Sequence, residues 1–153
     1  MTTMLKVIVA LAVLTGTAAA ADKPNFSGEW KVNLAKSNFG AVPPPTAISR
    51  RVTHVEPSLT IIENQDTPVG DQTTTRTYTT DGRETTFQAN GADVKSSATW
   101  DGSTLVVISK VDMLGLQFND RMTMGEGGKV MTSVVHITSP QGDADITLVF
   151  ERQ

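Results

Sequence analysis

The sequence predicts an all-β protein, an antiparallel up-and-down β-barrel of about 8–10 strands. Turn signals recur at intervals of about eight to twelve residues, as in sheets built from hairpins, and no segment repeats apolar residues at helical spacing over three turns. Threonine, which is stiff at its branched β-carbon and suits strands, occupies eight positions between Thr73 and Thr86. So many consecutive strands leave two sheet edges, which closure into a barrel removes.

The N-terminal segment has a different character from the rest of the chain. Lys6 lies near the start, an apolar run covers residues 7–14, and residues 18–21 are all alanine. A basic start, a short apolar middle and a small-residue end are typical of a secretory signal peptide. We therefore expect residues 1–21 to be a signal peptide, residues 22–153 to form the barrel domain, and the mature protein to be secreted or periplasmic.

Composition excludes several classes of partner. The full chain has a net charge of −3, and removal of residues 1–21 takes away only one charged residue, a lysine. This mildly acidic balance leaves no basic face for nucleic acid. No apolar stretch approaches the roughly 20 residues that a membrane-spanning helix needs, and the chain has no cysteine for a disulfide or a lipid anchor. We expect a monomer without a membrane span, a lipid anchor or a cofactor.

The first predicted strand is Gly28–Leu34, and a long loop follows it. The loop contains Gly40 and the prolines 43–45, which fix φ and remove amide donors. It is therefore predicted to cross one end of the sheet as a spacer over residues 35–47.

The other nine strands follow from the turn signals between them, such as Asp81-Gly82 and Asn90-Gly91. They are predicted at Ile48–Val55, Ser58–Glu63, Thr73–Thr80, Glu84–Gln88, Val94–Trp100, Thr104–Val111, Leu116–Met124, Lys129–Thr138 and Asp143–Arg152. Alternation is clearest in the sixth and tenth of the ten strands, where apolar residues share one face and polar residues the other. Such strands turn one face to a core and the other to water.

The first strand also carries a family resemblance. Gly28 and Trp30 have the G-x-W spacing with which lipocalins and fatty-acid-binding proteins, together the calycins, begin their first strand. The W-D-G turn at residues 100–102 and the closing stretch 147–152 resemble segments of fatty-acid-binding proteins. Residues 25–40 and 56–61 resemble exported bacterial lipocalin-like proteins, a likeness that covers nearly the whole mature chain. The resemblance implies a calycin barrel with Trp30 buried at its closed end.

Two departures from fatty-acid-binding proteins bear on the ligand. The loop 35–47 is too short and too rich in proline for their two-helix lid. In the closing strand, Leu148 and Phe150 stand where the family has the arginine and tyrosine that grip a carboxylate. The resemblance therefore implies that a fatty acid and its methyl ester bind comparably, or that the ester binds better.

Five residues are candidate ligand contacts. Arg50 and His54 share a face of their strand with Ile48 and Val52 and could point inward with them, but alternation alone leaves the inward face of this strand open. Arg76 and Tyr78 share a face that could grip an acidic group or could equally face water. Asp120 lies on the apolar face of its strand, where a lone charge is costly. A bulge that turns it outward or a structural ion pair is the favoured interpretation, and ligand contact is the alternative.

No pattern indicates a catalytic or metal site. The two histidines, His54 and His136, are far apart in sequence and have no carboxylate at metal-ligand spacing. The chain has neither a G-x-S-x-G elbow nor an activated cysteine. The leading hypothesis is a barrel whose interior accepts a small, mostly apolar molecule without catalysis. The alternative is a barrel packed solid with its own side chains that serves as a structural or protein-interaction module, and a hydrolytic enzyme comes third.

Overall fold

A computed structural model describes residues 22–153. The predicted signal peptide, residues 1–21, lies outside the described residues, so its cleavage stays a prediction. Ten antiparallel strands form one sheet. They are β1 (Gly28–Val32), β2 (Ala47–Val55), β3 (Ser58–Thr67), β4 (Gly70–Thr79), β5 (Thr85–Ala89), β6 (Ala92–Asp101), β7 (Thr104–Val111), β8 (Leu116–Gly125), β9 (Val130–Thr138) and β10 (Ala144–Arg152). The predicted all-β, up-and-down fold is confirmed.

The sheet runs in sequence order except at one junction. Its order is β4-β3-β2-β1-β10-β9-β8-β7-β6-β5, so β1 pairs with β10 and brings the two halves of the chain together. The pairing of β1 with β10 aligns Trp30 with Arg152 and Val32 with Phe150. The first and last strands of the chain therefore lie side by side in the barrel wall.

The barrel is nearly closed rather than fully hydrogen-bonded. Strands β4 and β5 are the two edges of the sheet, and side chains bridge them near the turn that joins them. The Thr85 hydroxyl donates to the carbonyl oxygen of Thr77 at 2.7 Å, and the Tyr78 and Phe87 rings meet edge to face at 6.0 Å. Closure thus depends on side chains at this seam, whereas the sequence had suggested that a closed ladder removes both edges.

Strand boundaries differ from the prediction mainly at β3 and β4. Both strands are longer than expected because they continue as a hairpin to Thr67 and Gly70, which are paired. The hairpin extension is polar on both faces, so apolar alternation does not mark it. The first strand ends earlier than predicted because the amides of Lys36 and Ser37 bond back to Asn33 and Leu34 as turns.

The segment between β1 and β2 is a long loop, as predicted, and it is tied to the barrel wall. Asn38 and Thr147 exchange two backbone hydrogen bonds of 2.7 Å, which fasten the loop to β10. The only helical elements within residues 22–153 are two short 3-10 turns, Asp112–Leu114 and Glu126–Gly128. In this part of the chain, no helix is long and apolar enough to cross a bilayer.

One half of the interior is a dense apolar core, which we call the lower interior. It lies at the end of the barrel where β1 begins and β10 finishes. Its largest side chains have at most 1% of their surface exposed: Phe26, Trp30, Leu59, Leu105, Met122, Met131 and Phe150. The Trp30 indole N–H donates to the Phe26 carbonyl oxygen at 3.0 Å, and the Arg152 guanidinium lies 4.3 Å from the Trp30 ring. The predicted burial of Trp30 is confirmed.

Candidate ligand-binding interior

The opposite half of the interior is apolar but only partly covered, and we call it the upper interior. Strand register and alternation turn a set of inward side chains toward the barrel axis near the loops 89–92, 111–116 and 138–144. These side chains are half-buried: Phe87, Ala89, Leu116, Phe118, Val135, Ile137 and Ile146. Inward residues nearer the other end of these strands, such as Met122, Met131 and Phe150, have at most 1% of their surface exposed. In the upper half, Ala92, Val94 and Val111 form a small buried cluster against which Phe87, Leu116 and Phe118 pack.

A layer of charged side chains separates the two halves. Strand β2 presents Arg50 inward, β3 presents Glu63, and β4 presents Arg76. One Glu63 oxygen accepts hydrogen bonds from Arg50 at 2.6 Å and from Arg76 at 2.5 Å. The second Glu63 oxygen accepts from the Gln65 amide at 2.8 Å. Both carboxylate oxygens of Glu63 therefore have hydrogen-bond donors, as buried polar atoms in folded proteins usually do.

Arg50 extends this layer across the barrel. Its guanidinium lies 4.1 Å from the centre of the Phe150 ring on β10 and donates to the Ser133 hydroxyl on β9 at 3.2 Å. The Ser133 hydroxyl in turn donates to an Asp120 oxygen on β8 at 3.4 Å. We call Arg50, Glu63, Arg76, Asp120 and Ser133 the polar layer. It connects strands on opposite sides of the barrel.

Burial and ion pairing shift the pKa values of the two carboxylates in opposite directions. Burial by itself would raise the pKa of Glu63, but Arg50 and Arg76 outweigh it and hold that pKa at about 2. Burial raises the pKa of Asp120, and the more distant arginines only partly offset this effect. The same Glu63 contact raises the pKa of Arg76 in spite of its burial. At neutral pH, Glu63 is a firmly ionised partner, whereas burial disfavours the charged form of Asp120.

Asp120 points inward, in contrast to one of the sequence-based alternatives. Its strand pairs in uninterrupted register, with Val107 on one side and Val135 on the other. A bulge that turns Asp120 outward is therefore wrong, since a bulge would place two residues opposite one. The structural alternative is closer to the observed arrangement, because Ser133 joins Asp120 to Arg50 without a direct ion pair.

Four of the five predicted site residues converge, and one lies elsewhere. Arg50, Arg76 and Asp120 belong to the polar layer, and the buried Tyr78 ring lies beside it, where burial raises the pKa of the phenol. Tyr78 and Arg76 share the inward face of β4, which settles the orientation that alternation alone left open. His54 is also inward but belongs to a separate cluster in the lower interior. Whether any of these residues contacts a ligand remains a prediction.

The cluster around His54 closes the lower end of the barrel. The imidazole Nδ1 accepts from the Phe26 amide at 3.2 Å, so the proton of the neutral ring lies on Nε2, 2.9 Å from Glu56. Glu56 also accepts from the Trp100 indole N–H at 2.9 Å and from the Thr80 hydroxyl. These bonds outweigh burial and lower the pKa of Glu56. This arrangement fastens the ends of three strands and leaves His54 no free nitrogen for a ligand.

Two residues of the polar layer were missed by the sequence analysis. Glu63 stands at the end of its predicted strand, on the same face as the apolar Leu59 and Ile61. That alternation was a usable signal for an inward charge. Ser133 alternates with Met131 and Val135 in the same way, but a small hydroxyl on an apolar face is too common to single out.

A depression of about 450 Å³ also lies on the outer face of strands β1–β3. Outward polar side chains such as Glu29, Lys31, Arg51 and Asn64 form much of its lining. Covering it with an apolar molecule would strip water from these groups without replacing their hydrogen bonds. The upper interior is therefore the better candidate site.

Comparison with known proteins identifies the fold. No family model matches the sequence, and no curated protein matches it. Solved structures do match. Zebrafish ileal bile acid-binding protein in complex with cholic acid is 12% identical, with a TM-score of 0.63, over 84% of this chain and 98% of that chain. A secretory abundant heat soluble protein from Ramazzottius varieornatus is 11% identical, with a TM-score of 0.66, over 88% and 100%.

Fatty-acid-binding protein 1 of Echinococcus granulosus has a similar structure. It is 9% identical, with a TM-score of 0.57, over 83% of this chain and 96% of that chain. Identities this low establish the architecture alone. The chain has a calycin-like barrel fold with partial likeness to fatty-acid-binding proteins, which confirms the fold expected from the resemblance.

Proposed function

We propose that this protein is an exported, non-catalytic binding barrel that holds a small, mostly apolar molecule in its upper interior. Export is supported by the signal-like pattern of residues 1–21. A non-catalytic role is supported by the polar layer itself, in which Arg50, Glu63 and Arg76 bind one another. Two of the comparison structures named above, the bile acid-binding and fatty-acid-binding proteins, are binding proteins by their names.

The observation that carries the proposal is the contrast between the two halves of the interior. Most inward side chains below the polar layer are shielded almost completely, whereas above it Phe118, Ile137 and Ile146 remain half-buried beside the buried Ala92, Val94 and Val111. A concave apolar surface next to a few converging polar groups is the usual form of a small-molecule site. An apolar ligand would cover this surface, and each 100 Å² removed from water would contribute roughly 2.5 kcal/mol.

The alternative, a solid structural module, accounts well for the lower interior. Phe26, Trp30 and Phe150 fill that half without any ligand. It does not account for Phe118, Ile137 and Ile146, which a solid barrel would bury to the same extent. A ligand in the upper half and a packed core in the lower half accommodate both observations.

Binding of an uncharged dye tests the proposal. We expect N-phenyl-1-naphthylamine to gain fluorescence on the purified protein and to be displaced by unlabelled apolar molecules. Ala89→Trp should abolish the gain, because Ala89 is an inward residue of the upper interior on β5. Thr86→Trp is the matched control, since it places the same indole on the exposed outer face of the same strand.

The outcomes distinguish a ligand-binding barrel from a solid structural module. Dye binding to the wild type and to Thr86→Trp, with at least tenfold weaker binding to folded Ala89→Trp, supports an interior site. No binding to the wild type contradicts it, and so does equal binding to all three proteins. Far-ultraviolet circular dichroism checks the fold, and Val135→Phe is a second filling variant if Ala89→Trp does not fold.

A further inference from the structure

Strand β4 has a free edge near the upper end of the barrel. It has ten residues, Gly70–Thr79, whereas β5 on the other side of the seam has only five, Thr85–Ala89. The side-chain contacts that bridge the seam lie at Thr77 and Tyr78, in the lower half of β4. Val69, in the turn before β4, is 93% exposed. The upper half of β4 therefore borders solvent on the side away from β3.

The pairing of β3 with β4 shows which backbone groups face this edge. The Thr80 amide donates to the Pro57 carbonyl oxygen at 2.8 Å, in register with the rest of the ladder. Hydrogen-bonded pairs alternate along an antiparallel ladder. The even-numbered residues of β4 therefore bond to β3, and the odd-numbered residues turn their N–H and C=O groups away from it. The Thr77 carbonyl oxygen, which accepts from the Thr85 hydroxyl across the seam, agrees with this assignment.

The upper half of this edge is exposed and lacks the usual protection against pairing. Its odd-numbered residues, Asp71, Thr73 and Thr75, are all exposed, and within residues 22–153 β4 pairs with β3 alone. Proteins usually protect sheet edges with a lysine, a proline, a bulge or a short strand. Residues 70–75 contain neither lysine nor proline, and they pair with β3 without a bulge. This edge is therefore open to another strand.

We propose that β4 pairs with β4 of a second copy of this chain, antiparallel and centred on Thr73, in a weak two-fold dimer. In this register, Asp71 lies opposite Thr75 of the second copy, and Thr73 lies opposite its own counterpart. Each of these pairs exchanges both of its outward backbone hydrogen bonds. The two-fold axis makes the contact self-complementary and closes the assembly at two copies. The inference is independent of the proposed function, and it departs from the monomer expected from the sequence.

The side chains of the segment are suited to pairing with themselves. The register places the Asp71 carboxylate opposite a threonine rather than opposite a second carboxylate, so like charges do not meet directly. Thr73 meets Thr73, and threonine pairs across strands are favourable. The hairpin extension is polar on both faces, so an apolar partner strand would find no apolar surface to cover. A second copy matches this polarity, and because the contact is short, the dimer is weak.

Sedimentation velocity at increasing protein concentration tests the dimer. We expect the sedimentation coefficient of the wild type to rise from the monomer value toward the dimer value between micromolar and millimolar concentration. Thr73→Pro removes the central N–H donor at an edge position that tolerates proline, and it should weaken self-association at least tenfold. Thr73→Val is the matched control, because it keeps the N–H donor and the β-branched shape, and its dissociation constant should stay within about threefold of the wild type.

Amide hydrogen exchange of the wild type, followed by NMR, locates the contact without any variant. The N–H groups of Asp71, Thr73 and Thr75 face solvent in a single barrel, so their exchange should slow in proportion to the fraction of monomer that remains. Exchange in β5, Thr85–Ala89, should not change with concentration. This measurement decides the question if Thr73→Pro does not fold.

Three results would overturn the inference. The first is a wild type that stays monomeric at every concentration, in which case the edge would be free for a strand of another protein. The second is equal self-association of the wild type and folded Thr73→Pro. The third is exchange that slows with concentration in β5 rather than in β4, which would place the contact at the other edge of the sheet.

Discussion

Replacement of Glu63 by glutamine should destabilise the barrel strongly. Glu63 is the shared acceptor of Arg50 and Arg76, at 2.6 and 2.5 Å, and its side chain is 8% exposed. Glutamine has nearly the same shape but carries no charge, so two buried guanidinium groups would lose their partner. Removal of one member of a buried ion pair costs about 3–5 kcal/mol, because the remaining charge is left uncompensated.

The pKa of Glu63 gives a second measure of the same interaction. Folding lowers this pKa from 4.5 to about 2, which corresponds to roughly 3 kcal/mol at neutral pH. A lowered pKa stabilises the folded state above pH 4.5, and the contribution is lost as the pH falls toward 2. The deficit of Glu63→Gln should therefore be complete at pH 6–7 and should shrink by roughly 2 kcal/mol at pH 3.

Urea unfolding at pH 7, 5 and 3, followed by tryptophan fluorescence, measures this deficit. Glu84→Gln is the matched control, because Glu84 is exposed in the turn before β5, and its free energy of unfolding should stay within about 0.5 kcal/mol of the wild type. A loss below about 1 kcal/mol for Glu63→Gln at pH 7 would refute the ion-pair account. A deficit that is the same at pH 7 and pH 3 would refute the pKa argument.

Three further predictions concern the closed end and the N-terminus. Trp30→Ala should lower the free energy of unfolding by about 3–5 kcal/mol, because Trp30 is 1% exposed and bonded to Phe26; a loss below about 1 kcal/mol in denaturant titration would contradict its burial. Glu56→Ala should cost about 1–3 kcal/mol in the same assay, because three donors lose their acceptor, and no loss would show that this cluster is incidental. Intact mass of the exported product should place its start at Ala21 or Asp22, and a product that retains residues 1–20 would contradict export.

The sequence was sufficient for the fold because strands leave a local signature. Alternation correctly grouped Ile48, Arg50, Val52 and His54 on one face of β2, and the structure shows that this face is inward. It also identified ten strands, since each is bounded by turn residues that need no tertiary information. The G-x-W pair correctly placed Trp30 in the core.

The details that alternation could not predict depend on contacts between distant strands. Alternation assigns a residue to one face of its strand, but it does not predict which residues of other strands contact that residue. Arg50 meets Ser133 across 83 positions of sequence, and the stagger of the strands around the barrel decides that contact. For the same reason, neither the separation of His54 from the other site residues nor the open seam between β4 and β5 was visible in the sequence.

Isoleucine methyl NMR tests most directly the central claim that a ligand occupies the upper interior. Ile137 and Ile146 face the upper interior, Ile61 is buried on the inward face of β3, and Ile62 and Ile108 lie on outward faces of their strands. On titration with dodecanol, we expect the δ1-methyl signals of Ile137 and Ile146 to shift in a saturable way, while those of Ile62 and Ile108 stay unchanged. Shifts confined to Ile62, which borders the outer depression, or no saturable shift at any methyl group, would contradict the claim.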